Sequence, residues 1–463
     1  MKDENRTLLI VFITVVAALG GFLFGFDSGV INGAVTAISA EFNSQSVATG
    51  FNVSSVLLGC IVGALFSGYF ADKFGRKPVM LGMCALFIIT AWGAGIAESS
   101  AEFVIYRLIG GFGVGAASAI CPAYICEISP TRLRGRLTSM QQMAIVCGLF
   151  AAFLSNYAIA KFSGGASEIS LFGFKAWQWM FWAGIVPAVL FLIGIFFIPE
   201  SPRYLVGKGN LQEAKAVLSK LFGEGVDGEI EKIRESMRGQ KASFSDLLKP
   251  GSFNLKPIVW VGLIVAIFQQ ISGINVIFYY GEVLWRSVGV DESRALAQNV
   301  ISGGVNIFAT ALAMLLIDKL GRKCLLISGA LLMTVSLAAM SIIFSFASLS
   351  EGSLALPAHL ATAAFIFAIV YVFSFCASWG PVVWTLLAEM FPNSMRASAV
   401  ALCAGGVWLS NFAVTMTFPP MLSGIGLPAT YAIYALFSLL SLVFVSVFVR
   451  ETKGISLEQM NSR

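Results

Sequence analysis

The sequence has 463 residues, of which 57% are hydrophobic and only 12% are charged, and its formal net charge at pH 7 is +5. Soluble domains carry about 25% charged residues. The composition therefore excludes an ordinary soluble domain and indicates a membrane protein.

Long apolar runs recur along the whole chain. A helix of about 20 apolar residues crosses a hydrocarbon core of about 30 Å, whereas a transmembrane β-barrel shows alternating segments of about 10 residues. The runs here are continuous, so we predict an all-α polytopic membrane fold with twelve transmembrane helices. They lie near residues 8–32, 49–70, 79–97, 101–127, 138–160, 173–198, 257–285, 295–317, 324–347, 358–387, 397–418 and 427–449.

The lysines and arginines are distributed unequally between the loops. The chain has 30 lysines and arginines, and 25 of them fall in the two termini and in the loops on the same side of the membrane as the termini. Four fall in the loops on the opposite side, and Arg107 lies inside a span. Because cytoplasmic loops are enriched in these residues, both termini are predicted to be cytoplasmic. The compact outer loop at 33–48, which lacks paired cysteines, favours a bacterial origin, so the predicted location is a bacterial inner membrane. A basic face beside anionic lipid accounts for the net charge without a nucleic-acid partner.

Neither cysteine nor histidine indicates a metal site. The eight cysteines lie in or at the edges of spans without metal-ligand spacing, as small apolar fillers do. The single histidine, His359, begins a span, where an interfacial position is favoured over a proton relay. No metal and no other cofactor is expected.

One polar segment divides the spans into six and six. We predict an N-terminal six-helix bundle at 1–200, a cytoplasmic helical linker at 201–256, a C-terminal six-helix bundle at 257–449 and a cytoplasmic tail at 450–463. Within the linker, NLQEAKAVLSKLFG has apolar spacing that predicts a short surface helix.

Two phrases are repeated at matching places in the two halves. GYFADKFGRK follows the second span and LIDKLGRK follows the eighth, while EISPTRLRG follows the fourth and EMFPNSMRA follows the tenth. Such repeats are typical of duplicated six-helix bundles with a substrate site between them at mid-membrane.

The repeated phrases also carry charges that predict salt bridges at the inner face. We expect Glu127 to pair with Arg134, Glu389 with Arg396, and Asp72 with basic residues of the other half. The alternative is that these charges only anchor helix ends among the lipid headgroups.

Asp27 is the clearest carboxylate inside a span. A charge there costs about 2.5–3.5 kcal/mol on insertion scales, so a partner or a proton is expected. Span 1 and span 4 run in opposite directions and place Asp27 and Arg107 at similar depth, which predicts that they pair. The alternative is a static buried ion pair.

The stretch IFQQISGINVIFYY places Gln269, Gln270 and Asn275 in an apolar span. Carboxamides offer donors and acceptors without charge, as the hydroxyl groups of a sugar require. On an unbroken helix Gln270 and Asn275 would lie about 140° apart. Gly273 between them permits local unwinding, and the alternative is that the amides bond to neighbouring helices.

Over nearly the whole chain these motifs resemble the sugar porter family of the major facilitator superfamily, and in overall look the bacterial sugar:proton symporters. The resemblance rests on LFGFDSGVING, GYFADKFGRK, YRLIGGFGVG, PESPRYL, QQISGINVIFYY, DKLGRK, SWGPVVWTLLAEMFP and ETKG in that order. The combination of PESPR, QQISGIN and WGPVVW is the specific part. Arg450 departs from the usual proline of the last motif.

The resemblance implies a break in span 7 and a set of sugar-binding residues. It also implies a half-helix in span 10 that Gly380 and Pro381 free to close over the sugar. The implied sugar contacts, with two lower-ranked wall and gate residues at the end, are Gln142, Gln269, Gln270, Asn275, Asn306, Trp384, Trp408, Asn411, Phe24 and Tyr279. Val407 stands where members often have an amide, which leaves the identity of the sugar open.

A cytoplasmic gate is implied at the motif positions of both halves. Its residues are Asp72, Arg76, Glu127, Arg134, Glu200, Arg203, Asp318, Arg322, Glu389, Arg396 and Glu451. Symporters of the family have aspartate at the position of Asp27, and facilitators usually have asparagine there. The expected partners are therefore a monosaccharide, protons and the lipid bilayer, for a functional monomer without enzymatic activity.

Three functions remain open. Proton-coupled import of a monosaccharide is the leading prediction, an uncoupled sugar uniporter is the alternative, and a nontransporting sugar sensor is a remote alternative.

One motif resembles a nucleotide-binding site. GGFGVG at 110–115 looks like a dinucleotide-binding loop, but no βαβ unit surrounds it, and close helix packing is favoured.

Overall fold

The computed structural model describes residues 3–130, 132–223, 225–238, 244–249, 254–350, 353–392 and 395–453. Within these ranges, twelve helical segments are long and apolar enough to cross a membrane. The predicted multi-pass all-α fold is confirmed. Of the predicted tail, residues 454–463 lie outside the described residues, as do 239–243 and 250–253 of the predicted linker.

The first six spans are formed by seven helices, because span 6 is divided at Gly184. They are α1 Asp3–Glu41, α2 Ser46–Phe74, α3 Arg76–Ile96, α4 Ser100–Ile128, α5 Arg134–Ser163, α6 Ala176–Ala183 and α7 Ile185–Phe197. A 3₁₀ turn at Leu171–Gly173 precedes α6.

Three short helices follow, two of them amphipathic. They are α8 Pro202–Gly207, α9 Leu211–Phe222 and α10 Asp227–Arg238, and a 3₁₀ turn lies at Phe244–Leu247. The surface helix predicted in the linker corresponds to α9, whose apolar side, including Leu218 and Leu221, is buried.

The last six spans are formed by eight helices, because spans 7 and 10 are each broken. They are α11 Pro257–Ile271, α12 Ile274–Arg286, α13 Glu292–Leu320, α14 Arg322–Phe344, α15 Ala358–Cys376, α16 Trp379–Met390, α17 Arg396–Gly424 and α18 Gly426–Phe448. An antiparallel pair, β1 Ser348–Ser350 and β2 Ser353–Ala355, joins α14 to α15. The sequence analysis did not predict this pair.

The chain forms two compact units. Unit 1 comprises Met1–Val30, Ser55–Ser155 and Ile169–Gln240, and unit 2 comprises Ile31–Ser54, Asn156–Glu168 and Lys241–Arg463. In unit 1, α3 packs against α4, α6 and α7; in unit 2, α14 packs against α15 and α18, and α11 packs against α17. The ends of α1 and α5 that follow Val30 and Ser155 therefore belong to unit 2.

Glycines let α2 and α4 approach closely within unit 1. A Cβ atom on Gly59 would overlap the carbonyl oxygen of Leu108, and one on Gly111 would overlap the carbonyl oxygen of Val56. Helices in lipid associate through such small-residue contacts. The glycines at 110–115 thus serve helix packing, as the sequence analysis favoured over nucleotide binding.

Replacing Gly111 with alanine is expected to destabilise unit 1, because the new methyl group meets backbone that cannot rotate away. Overpacking of this kind costs roughly 1–3 kcal/mol. Thermal unfolding of purified protein in detergent measures the effect. Gly68→Ala on α2 is the control, since a Cβ there has no neighbour within 4 Å, and equal unfolding temperatures for the two variants would contradict this account of the interface.

Candidate functional site

Unit 1 holds a buried ion pair between α1 and α4. The NH1 nitrogen of Arg107 donates to both carboxylate oxygens of Asp27, at 2.9 and 3.0 Å. The side chain of Arg107 is 3% exposed and that of Asp27 is 23% exposed. The predicted pairing is therefore present, and the role of the pair in proton coupling stays a prediction.

The geometry of this pair is not that of the strongest arginine–carboxylate contacts. One guanidinium nitrogen serves both oxygens, so the contact lacks the two parallel bonds of the strongest arginine–carboxylate pairs. The arginine also lies over the ring of Phe181, with its central carbon 5.9 Å from the ring centroid. Asp27 is the more exposed partner of the pair.

The break in span 7 lies where the resemblance implied it. Helix α11 ends at Ile271, Gly273 adopts a left-handed conformation with φ 88°, and α12 begins at Ile274. A side chain other than glycine is strained in that conformation. The ring of Tyr434 covers the position that a Cβ atom of Gly273 would occupy.

The break brings the three carboxamides of this segment together. Nδ2 of Asn275 donates to Oε1 of Gln270 at 2.6 Å, and Nε2 of Gln270 donates to Oε1 of Gln269 at 3.4 Å. Gln269 and Gln270 are 2% and 8% exposed. The result is a chain of uncharged donors and acceptors at a helix break, which is the chemistry that hydroxyl groups require.

The amide chain continues to the break in span 10. Nε2 of Gln269 donates to the carbonyl oxygens of Trp379 and Gly380, at 2.9 and 3.2 Å. The sequence analysis placed this break at Gly380 and Pro381, but it lies earlier, at Ala377 and Ser378. Pro381 is in the first turn of α16, where backbone N–H groups have no acceptor within the helix. The N–H group that proline lacks would therefore make no helical bond, and Pro381 does not interrupt the helix.

A second polar cluster joins α12 to α17. Nδ2 of Asn411 donates to the hydroxyl oxygen of Tyr279 at 3.4 Å, and Oγ1 of Thr415 donates to Oδ1 of Asn411 at 3.1 Å. The hydroxyl group of Tyr280 donates to the carbonyl oxygen of Thr415. Two of the predicted sugar-binding residues, Asn411 and Tyr279, therefore share this cluster.

The other predicted sugar-binding residues lie on α13, α16 and α17 and in unit 1. Asn306 on α13 accepts from Thr310, at 3.2 Å. On α16 and α17, Trp384 is 38% exposed and Trp408 is 9% exposed. Phe24 and Gln142 are half-buried residues of unit 1.

A charge network occupies one end of unit 1, where Arg76 binds two acids. Its Nε and NH2 nitrogens donate to the two oxygens of Glu127, at 3.1 and 3.0 Å, and its NH1 nitrogen meets Asp72 at 3.2 Å. The backbone N–H of Arg76 donates to Glu200 at 2.9 Å. The expected pairing of Glu127 with Arg134 is wrong, because Arg76 approaches Glu127 with both prongs of its guanidinium group.

Unit 2 contains the corresponding network. NH2 of Arg322 meets Glu389 at 2.7 Å and Asp318 at 3.1 Å, and the backbone N–H of Arg322 donates to Glu451 at 2.9 Å. Each unit thus has an Asp, an Arg and two Glu in a corresponding network, although the sequence analysis paired the motif glutamates with other arginines. The role of these residues as a gate stays a prediction.

The second expected pairing, Glu389 with Arg396, is also wrong. The guanidinium group of Arg396 donates to the carbonyl oxygen of Phe391, at 2.9 and 3.1 Å. This contact closes the turn before α17 instead of neutralising an acid. Among the ion pairs between described residues, none involves Arg134, Arg203 or Arg396. For Asp72, the observed partner is Arg76 of its own unit.

Backbone donors surround the carboxyl group of Glu451. Burial raises the pKa of Glu451, but hydrogen bonds from the backbone N–H groups around it lower the pKa by more than burial raises it. The pKa therefore lies below its ordinary value of 4.5; the donors are Lys453, Arg322, Lys323 and Thr452. A carboxyl group whose pKa is lower in the folded state stabilises the fold above its unfolded pKa. That contribution is lost as the pH falls through the folded pKa.

Replacing Glu451 with glutamine is therefore expected to remove part of the acid sensitivity of unit 2. The wild-type protein should lose stability relative to the variant as the pH falls below about 4.5, whereas near pH 7 the variant should be the less stable of the two. Thermal unfolding in detergent at several pH values measures both effects. Glu229→Gln on the exposed face of α10 serves as the control, and parallel pH curves for wild type and Glu451→Gln would contradict the assignment.

The sequence analysis missed a polar cluster in unit 2 that contains Glu282. This carboxylate is 1% exposed and contacts Thr36 and Arg286. The available signal was a carboxylate inside the seventh apolar run, which was not singled out. No group of three or more His, Cys, Asp or Glu arranged to hold a metal occurs among the described residues.

Comparisons with known proteins agree with this architecture. The profile of the family described as Sugar (and other) transporter matches residues 13–463. The chain is 48% identical over 461 residues to the glucose transport protein of Synechocystis sp., covering 99% of this chain and 98% of that protein. It is 36% identical over 495 residues to the D-xylose-proton symporter of Escherichia coli (strain K12), covering 100% and 97%.

A solved structure extends the similarity to three dimensions. The inward open conformation of the xylose transporter XylE from E. coli matches with a TM-score of 0.83 at 34% identity, covering 98% of this chain and 99% of that chain. The chain therefore belongs to the Sugar (and other) transporter family and has the major facilitator fold that its motifs predicted.

Proposed function

We propose that this protein imports a monosaccharide together with a proton by alternating access. The observation that carries the coupling is the Asp27–Arg107 pair, a carboxylate in a membrane-spanning helix with an arginine partner. A carboxylate at this depth persists only when it is paired or protonated. Alternation between these two states is what a proton-coupled step requires.

The substrate class follows from the amide chain and from the relatives. Gln269, Gln270 and Asn275 offer neutral donors and acceptors that suit neighbouring hydroxyl groups. The relatives are named a glucose transport protein and a D-xylose-proton symporter. A hexose or pentose, such as glucose, galactose or xylose, is the substrate that both lines support.

The coupling cycle needs only residues of this chain and a proton. Asp27 takes a proton from the outside and loses its ionic contact with Arg107, the sugar binds, and Asp27 releases the proton after the site has opened to the inside. The membrane potential contributes about 2.3 kcal/mol per charge per 100 mV, enough for roughly 50-fold accumulation. No cofactor takes part, because the proton is the coupling ion.

The membrane placement is part of the same proposal. We place both termini in the cytoplasm, because 25 of the 30 lysines and arginines fall on that side. The bacterial relatives support the inner membrane of a bacterium as the location. The transport cycle described above needs one copy of the chain, so a monomer suffices. The family comprises transporters, and no nucleic-acid partner is needed.

The test is uptake of radiolabelled sugar into proteoliposomes with an imposed, inside-alkaline pH gradient. One labelled aldose is competed in turn by unlabelled glucose, galactose, xylose and a polyol. We expect accumulation above the outside concentration, and we expect an uncoupler to abolish it. Uptake that only equilibrates and ignores the uncoupler would establish the uniporter alternative, and no saturable uptake of any sugar would overturn the proposal.

A further inference from the structure

The last turns of α1 are bound to α12 through Asn32, within unit 2. Nδ2 of Asn32 donates to the carbonyl oxygen of Phe278 at 2.8 Å, and its Oδ1 accepts from the backbone N–H of Glu282 at 3.2 Å. These are the two backbone groups that an undistorted helix would pair with each other. Nδ2 of Asn299 on α13 also donates to Oδ1 of Asn32, at 2.6 Å.

The backbone of α12 is distorted at this point. Tyr280 has φ −123° and ψ 17°, outside the helical region. A side chain inserted into the hydrogen-bond ladder is a recognised cause of a helix kink. With the break at Gly273 at its start, α12 thus has two places where its backbone departs from a regular helix, and Asn32 holds the second.

Glu282 adds a charged contact one turn further along α1. Oγ1 of Thr36 donates to Oε2 of Glu282 at 2.6 Å, and NH1 of Arg286 donates to Oε1 at 3.0 Å. Asn32 and Thr36 are four residues apart and share one face of α1. The carboxylate is 1% exposed, whereas its arginine partner is 40% exposed.

The charged groups around Glu282 are few and can be named. On its own helix it faces Arg286, and α13 contributes Glu292, which lies 3.9 Å from the same guanidinium nitrogen. From α1 it faces only the neutral Thr36. Glu292 thus shares Arg286 with Glu282. The hydroxyl group of Thr36 is the contact that joins the Glu282 carboxylate to α1.

We infer that Glu282 is a positioning residue of the transport cycle, whose ionised carboxylate holds the outer end of α1 against α12 and thereby keeps the outer access path closed. The inference rests on the proposed transport function and its membrane orientation. The Asp27 carboxylate lies five residues before Asn32 on α1, so a change at the proton site and release of this latch involve the same helix. The latch consists of Asn32, Thr36, Glu282 and Arg286.

The face of α13 behind the latch provides a reporter position. Asn299, Ser302 and Asn306 follow at i, i+3 and i+7 and so lie on one side of the helix; all three are buried. The first bonds to the latch and the last is a predicted sugar contact. A cysteine at Ser302 should therefore become reachable from the outside only when the latch opens.

The experiment measures how fast a membrane-impermeant maleimide labels Ser302→Cys from the outside, in sugar-free proteoliposomes. The background is the same protein without that substitution, because the chain has eight cysteines of its own. Adding Glu282→Gln should raise the labelling rate about three- to tenfold, because its amide oxygen can still accept from Thr36 but only in a neutral hydrogen bond, which is weaker than one to a charged group. Thr36→Val removes the contact outright and should raise the rate at least as much. Adding Glu282→Gln to Thr36→Val should change the rate little further, since the bond that it weakens is already gone.

Asp291→Asn is the matched control, because Asp291 is a 57% exposed acid at the N-cap of α13, and asparagine still caps the helix. The protein that carries Ser302→Cys and Asp291→Asn should be labelled at the same rate as the protein that carries Ser302→Cys alone. The inference would be overturned if neither Glu282→Gln nor Thr36→Val raised the labelling rate above that of Ser302→Cys alone. Thermal unfolding of each variant excludes global destabilisation as the cause of faster labelling.

Sugar transport gives a second readout that a purely structural role would not move. Opening the latch increases the fraction of protein that binds sugar from the outside, so the outside KM should fall while the maximal rate falls or stays constant. An unchanged KM together with unchanged labelling would exclude the latch. Faster labelling in a protein that transports no sugar would instead overturn the proposed function and leave the latch standing.

Discussion

Replacing Asp27 with asparagine should abolish accumulation of sugar against its gradient while sparing exchange of sugar across the membrane. Asparagine has nearly the same shape but cannot carry a proton, so the pH gradient and the membrane potential no longer drive uptake. The roughly 50-fold accumulation that 100 mV can support should fall to equilibration. Uptake of radiolabelled sugar with an imposed pH gradient measures accumulation, and counterflow measures exchange.

Two comparisons make this prediction specific. Asp227→Asn removes an exposed carboxylate from α10, whose partner is Lys215, and should accumulate sugar like the wild type. The external medium should become alkaline during sugar uptake by the wild type and by this control, but not by Asp27→Asn. Accumulation that survives in Asp27→Asn would show that the Asp27–Arg107 pair is static and that the coupling carboxylate lies elsewhere.

The fold was predictable because its determinants are local in sequence. A continuous apolar run of sufficient length becomes a membrane-spanning helix wherever it occurs. The break in span 7 was implied by the family resemblance, and the sequence showed locally only that Gly273, between the amides, permits it. The break in span 10 was placed too late, since proline is disruptive inside a helix but is tolerated in its first turn.

The partners of the charges were less predictable, because they depend on tertiary placement. For Glu127 an arginine of the same motif, Arg134, looked suitable, yet the bond is made by Arg76, 51 residues away. The pattern of charges in the two halves was correct, since each repeat contributes the same residue types. Sequence spacing gives no access to distances between side chains on different helices.

The latch shows the same limit more strongly. Thr36 and Glu282 are 246 residues apart, and no periodicity in either helix relates them. The only signal was that burying a carboxylate inside a membrane span is costly unless it has a partner. The rule applies equally to Asp27 and to Glu282. It identifies carboxylates that need a partner, but it does not say which residue the partner is.

The amide chain depends on a single backbone conformation, which Gly273→Ala should destroy. A left-handed conformation costs an L-residue about 1–2 kcal/mol, and the new Cβ atom would lie 2.7 Å from the nearest ring carbon of Tyr434. That ring is buried and cannot move aside freely. Relief of the overlap requires α12 to rotate, which separates Asn275 from Gln270. We expect sugar affinity to fall by tenfold or more, on the order of the 1.4 kcal/mol that a factor of ten represents.

Binding of the preferred sugar, measured by calorimetry on purified protein, tests this expectation. Gly405→Ala is the matched control, because a Cβ atom on Gly405 of α17 has no neighbour within 4 Å, and it should bind sugar like the wild type. Asn275→Ala keeps the backbone and removes only one amide, so it should weaken binding less than Gly273→Ala. If Gly273→Ala bound sugar as tightly as the wild type, the hydrogen bond from Asn275 to Gln270 would be incidental to recognition, and the sugar would have to be held by the aromatic and α17 residues alone.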